Sequence, residues 1–141
     1  MALVLVPWWI VSHGIGMAHI GATFVLWALT GLGITVGYHR LFSHRAYRAG
    51  PFVRAASLLL GGAAWQNSAL QWSSDHRIHH RKVDTDEDPY DASKGFWWSH
   101  MGWILTKGTT WRERGNVKDL EADLLVRLQE RYYFPITIVC W

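Results

Sequence analysis

The sequence predicts an all-α fold, an integral membrane helical domain capped on one side by clustered histidines, and three observations carry that prediction. The first 38 of its 141 residues contain no Asp, Glu, Lys or Arg, and all 14 basic and 11 acidic residues fall between Arg40 and Arg131. A soluble helical domain would set a charged face against a buried stripe on every helix, so segregation by block points to a bilayer rather than to water on both sides. Ten tryptophans suit a chain with much surface at the headgroup layer, where an apolar ring with one N–H donor is well placed. Five histidines fall in two short boxes, His39-Arg-Leu-Phe-Ser-His44 and His76-Arg-Ile-His79-His80.

Residues 1–12 are apolar but supply only about 18 Å of helix, a partial span, and His13-Gly14-Ile15-Gly16 reads as a turn. Residues 17–38 supply about 33 Å, which matches a hydrocarbon core of about 30 Å and predicts a transmembrane helix. The first box, 39–44, sits where that helix emerges. Residues 51–72 form a third apolar stretch whose only charge is Arg54 and whose middle is Gly61-Gly62-Ala63-Ala64. If this stretch crossed the bilayer once, the two boxes would face opposite compartments, so shared ligation requires a re-entrant or surface-embedded helix. Residues 76–131 are expected to form the polar cap with the second box. Residues 132–141 turn apolar again and read as the start of a further span. Two partial spans suggest a piece of a longer polypeptide or a deletion form.

The second box carries geometric content. Positions i, i+3 and i+4 of a helix project within about a 100° arc, so His76, His79 and His80 can converge on one ion or an adjacent pair. His39 and His44 lie about 140° apart on a straight α-helix, which calls for a frayed helix end or two metals. Imidazole without cysteine suits iron, zinc, copper or nickel. A helical zinc hydrolase needs Glu beside the first histidine, where this chain has Arg77. A carboxylate di-iron bundle needs Glu-x-x-His, which no glutamate here provides. Asp84-x-Asp86-x-Asp88 is no calcium loop, because Pro89 stands where Gly is required and no Glu closes it, so a solvated acidic loop is expected. The net charge of +3 is small and interleaved with acids, which excludes a nucleic-acid footprint. The single cysteine, Cys140, excludes an intramolecular disulfide and a multi-thiolate zinc site.

The two boxes, with Asp75 before the second and Asp88-Pro89-Tyr90 and Gly95-Phe96-Trp97-Trp98-Ser99-His100-Met101-Gly102-Trp103 after it, resemble the membrane fatty-acid desaturases, most of all the Δ9 acyl-CoA (stearoyl-CoA) group. The resemblance continues through Asn116-Val117-Lys118-Asp119-Leu120 and Leu128-Gln129-Glu130-Arg131-Tyr132-Tyr133. It implies two irons per complete site, with His39, His44, His76, His79 and His80 as ligands from the first two of three boxes; the third is not in this chain. It further implies a fatty-acyl-CoA or acyl-lipid substrate, O2, an external electron donor such as cytochrome b5 or ferredoxin, and boxes on the cytosolic side. Gln66, Asn67 and Trp72 match the segment that would bend or orient the acyl chain, with helix packing as the other reading. Lys107 matches a headgroup contact, with a solvated lysine as its alternative. Ser74 departs from the basic residue of the animal acyl-CoA enzymes. Asp75 and His100 are candidates to hydrogen-bond the metal ligands, His100 equally for anchoring its own segment, while His13 and His19 read as packing or interfacial residues. Asn116 reads as the N-cap of a scaffold helix with Leu120, Leu124 and Leu128 on one stripe. A related membrane hydroxylase and a truncated, inactive membrane protein are the alternatives to a desaturase.

Overall fold

The computed structural model describes residues 2–106 and 114–140, and among them every regular element is helical. Helix α1, Ala2–His13, ends where Gly14 takes φ +74°, a left-handed conformation that glycine adopts without steric cost. Helix α2, Met17–Leu32, continues without a break into a π-wound segment, Gly33–Ser43. Together they form a 27-residue element, Met17–Ser43, long and apolar enough to cross a membrane, with little of it buried inside the protein. Helix α3, Pro51–Ala63, begins with proline at its first turn, where the missing N–H costs nothing. Helix α4, Ala69–Lys82, is capped by Ser68, whose Oγ accepts from the Gln71 N–H at 3.2 Å. After a polar loop come a π turn at Trp98–Gly102, the short α5 at Trp103–Leu105, then α6 at Lys118–Glu121, α7 at Leu124–Arg131 and α8 at Tyr133–Val139.

The expected embedded helix over 51–72 is in fact two helices. At 13 residues α3 is about 20 Å long, too short to cross a hydrocarbon core. The chain then reverses through Trp65 and Asn67, both at positive φ, +57° and +70°, and restarts at the Ser68 cap, so Trp72 belongs to α4. That reversal returns the second box to the side on which the first one ends.

The crossing of α3 over α2 is set by absent side chains. A Cβ on Gly33 would lie 2.5 Å from the Gly61 nitrogen and 2.6 Å from the Leu60 carbonyl carbon, so the two backbones touch there. Below the crossing sits Tyr38, fully buried with Phe42, Leu58, Leu70, Val117 and Val126. Gln129 of α7 enters this core, donating to Tyr38 Oη at 2.6 Å and accepting from the Ala69 N–H at 3.0 Å. Tyr38 passes its own proton toward the Asn67 carbonyl at 3.4 Å. A satisfied polar network of this kind fixes the register of α2, α4 and α7 more sharply than apolar contact alone. Arg54, the one charge of α3, is answered by Asp123 and lies over the Phe42 ring.

Two further expectations are corrected. Asn116 does not cap a helix: its Oδ1 accepts from Ser74 Oγ at 2.8 Å and its Nδ2 donates to the Ser74 carbonyl at 2.9 Å, a brace to α4. The helix after it breaks at Asp123, which caps α7 by accepting from the Leu125 and Val126 N–H groups, so the buried face carries Val126 and Gln129 while Leu124 and Leu128 are exposed.

Replacing Gly33 with Ala should lower stability by about 1–3 kcal/mol, because the helices must separate to admit the methyl group. Gly21→Ala, where a Cβ meets nothing within 4 Å, should be neutral or slightly stabilising. Thermal unfolding followed by circular dichroism in detergent compares the two.

Candidate metal centre

The two boxes meet. On the π-wound segment the helical bond runs from residue i+5 back to residue i, seen directly in the His44 N–H donating to the His39 carbonyl at 2.9 Å. This wider turn places residues five apart nearly above one another, which replaces the 140° separation expected on a straight α-helix. The His39 and His44 rings have centroids 4.5 Å apart and their Nε2 atoms are 3.1 Å apart. From α4, His76 Nε2 lies 3.1 Å from His44 Nε2 and 3.0 Å from His80 Nε2. One nitrogen from each of His39, His44, His76 and His80 falls within 4.8 Å of all the others. His79 lies at the edge of this group, its ring centroid 5.4 Å from that of His80 and its Nδ1 turned to Asp88.

This donor set fits a metal cation. Burial lowers the proton affinity of His76 to a pKa of about 3, with the His39, His80, His44 and His79 imidazoles contributing in the same direction. Burial likewise lowers His44, helped by His39, His80 and Arg77. Both rings are therefore neutral at pH 7, the form in which imidazole ligates. Each Nε2 to Nε2 contact near 3 Å demands either a shared proton or a shared cation. Four converging nitrogens are better served by one cation than by a chain of single protons.

Around the rings lies a set of orienting groups that the spacing of the boxes does not signal. Asp88, 1% exposed, places both carboxylate oxygens 2.9 Å from His79 Nδ1 and also accepts from the Asp84 and Tyr90 N–H groups. It is therefore a buried organiser of its loop, not part of a solvated acidic one. Tyr90 Oη lies 3.0 Å from His76 Nδ1. Arg77, one residue beyond His76, donates to the Ser43 carbonyl at 3.0 Å, the Phe42 carbonyl at 2.9 Å and the Asn116 carbonyl at 2.7 Å, and forks onto Asp119 at 2.7 and 3.0 Å. It thus holds the carbonyl end of the first-box helix against the second box, as guanidinium groups suit by their planar array of donors. Burial alone would raise the Asp119 carboxyl, but its hydrogen bonds and attraction to Arg77, together with Arg45, hold it below the ordinary range.

A cavity of about 220 Å³ opens beside the centre, lined by Gln66, Asn67, Trp72, Asp75, His76, Tyr90, Ser99 and Trp103. Trp72 stacks on His76 at 4.7 Å and meets His39 edge-on at 6.2 Å, while its Nε1 donates to Gln66 Oε1 at 3.2 Å. Asp75 is buried and accepts from Gln71 Nε2 at 3.1 Å. His100 is not brought to the centre: its ring stacks on Phe96 and its Nδ1 bonds the Phe96 carbonyl at 2.9 Å, because the turn at Trp98–Gly102 faces it back on its own segment. Lys107 lies outside the described residues. His13 and His19 bond locally, to the Trp9 carbonyl and the Gly16 N–H. Ser74 is fully buried on Asn116, so it presents nothing to a ligand headgroup.

No family model matches the chain. It is similar to a Δ9-fatty-acid desaturase of Caenorhabditis elegans, 41% identical over 122 residues, covering 84% of this chain and 36% of that protein. A probable acyl-CoA desaturase of Schizosaccharomyces pombe is 46% identical over 113 residues, 79% of this chain and 24% of that protein. A stearoyl-CoA desaturase of Sus scrofa is 41% identical over 123 residues, 84% of this chain and 34% of that protein. The chain spans about a third, or less, of the length of these curated relatives.

Arg77→Lys keeps a charge but cannot serve three carbonyls and a carboxylate fork at once. It should lower stability by about 2 kcal/mol and weaken metal binding by roughly tenfold or more, read by unfolding and by chelator-competition titration. In the metal-free protein, His76 binds its proton in the unfolded chain at its ordinary value of 6.5 but in the folded chain only near 3. Stability should therefore fall as pH drops below 6.5 toward 3, a decline in melting midpoint that His76→Gln reduces.

Proposed function

Because the chain belongs to the Δ9 acyl-CoA desaturase family, we propose that its histidine centre holds iron and serves the desaturation of a fatty-acyl chain. The observation that carries this reading is the convergence of the four Nε2 atoms beside a cavity whose wall includes His76 and the indole stacked on it. His39, His44, His76 and His80 would hold the metal, with His79, oriented by Asp88, as a fifth imidazole. Bound iron supplies the redox chemistry with dioxygen that acid and base side chains lack.

The reaction removes one hydrogen from each of two adjacent methylenes. With two electrons from an external donor of the cytochrome b5 or ferredoxin kind and two protons from the aqueous phase, one O2 leaves as two waters and the C–C bond becomes a double bond. The side chains contribute position. The Trp72 face and the Trp103 ring form an apolar wall against which an alkyl segment lies. Gln66 fixes the Trp72 indole through its N–H, and the left-handed turn at Trp65 and Asn67 shapes the end of the cavity. Excluding water from that wall protects a reaction at an unactivated carbon.

In this reading Met17–Ser43 crosses the bilayer, α3 lies embedded, and the boxes face the cytosol in a multi-pass protein. The acyl chain enters from the bilayer as an acyl-CoA or acyl-lipid, with Lys107 as a headgroup contact. Buried Ser74 leaves either headgroup to other residues.

Expression of the chain in a host of simple fatty-acid composition, followed by gas chromatography of its methyl esters, tests the reading. New monounsaturated acyl chains that disappear in His76→Ala are expected. Hydroxylated chains, or a profile that the substitution leaves unchanged, would contradict it.

A further inference from the structure

His76 is the central ring of the cluster, since its Nε2 touches both His44 and His80. For that nitrogen to offer a lone pair, the ring's proton must reside on Nδ1, and an Nδ1–H inside the protein needs an acceptor. The atom it meets is Tyr90 Oη at 3.0 Å.

The phenol is itself held in place. Its backbone N–H donates to Asp88 Oδ1 at 3.1 Å, and the same carboxylate faces His79 Nδ1. Its ring lies 4.4 Å from His79 and 5.1 Å from Trp103, and it forms part of the cavity wall. Pro89 between the two makes a short, stiff connection, so Asp88-Pro89-Tyr90 orients two histidines of the second box from one piece of backbone.

Resting on the metal-centre reading, we propose that Tyr90 is a positioning residue of that centre, its Oη accepting a hydrogen bond from His76 Nδ1 and so aiming His76 Nε2 at the cation. A tyrosine present only for packing would act through its ring. Tyr90→Phe separates the two, because it keeps the ring against His79 and Trp103 and removes one oxygen.

The probe is cobalt(II), added to the full chain in detergent micelles, with affinity read by chelator competition and ligand geometry by the visible absorption bands. Tyr90→Phe should bind cobalt about 10–100-fold more weakly with shifted bands, since that is the usual range for losing the hydrogen-bond partner of a ligating histidine. Its metal-free melting midpoint should match that of the unsubstituted chain. Equal affinity and identical bands would overturn the proposal. Should the variant fail to fold, histidine 15N spectra of the zinc-loaded unsubstituted chain decide instead: a proton on His76 Nδ1 with metal on Nε2 is expected, and metal on Nδ1 overturns it. An unsubstituted chain that binds neither cobalt nor zinc overturns the metal-centre reading itself, a result distinct from a Tyr90→Phe chain that binds as well as its parent.

Discussion

One guanidinium decides where the two histidine boxes sit. Arg77 projects from the second box, yet its partners are the carbonyls that end the first-box helix and the segment at Asn116 and Asp119. The last carbonyls of a helix have no partners within it and carry the negative end of its dipole, so a cation with several fixed donors is their natural complement. With Arg77 in place, His44 and His76 are brought within hydrogen-bond distance across 32 residues of chain.

The rest of the fold makes that clasp possible. Gly33 and Gly61 let α3 lie directly on α2, and the left-handed turn through Trp65 and Asn67 sends α4 back along the side from which α3 departed. Gln129 then ties Tyr38, the residue before His39, to the first backbone N–H of the helix that carries the second box. The π winding of Gly33–Ser43 completes the arrangement by stacking residues five apart. Each device acts on the backbone, so the imidazoles inherit their positions rather than set them. Such preorganisation is what a metal site requires of its scaffold.

What the sequence made legible follows from what spacing encodes. The His-x-x-His-His spacing of the second box specifies one helix face, and the charge-free opening specifies a long apolar helix. The boundary inside residues 51–72 is less visible, because Gly61-Gly62 and the Ser68 cap are weak signals within an apolar run. The convergence of His39 and His44 depends on a π winding that no local pattern announces. Arg77 is read along the sequence only for the glutamate it displaces; its role rests on partners 34 to 42 positions away. Asp88 looks like part of a solvated acidic run until burial and three separate donors give it a structural task. His100, set among aromatics near the boxes, resembles a supporting residue by proximity in sequence, and its own segment claims it.

His39 and His44 of the first box and His76 and His80 of the second build one cluster of nitrogens, and a shared centre needs both boxes. Metal stoichiometry of the chain lacking the first pair, His39→Ala with His44→Ala, set beside that of the chain lacking the second pair, His76→Ala with His80→Ala, tests this most directly. If the centre is shared, either pair of substitutions abolishes tight binding, because neither remaining box closes a site by itself. Two chains that each retain a tightly bound metal would show two independent sites and would contradict the account.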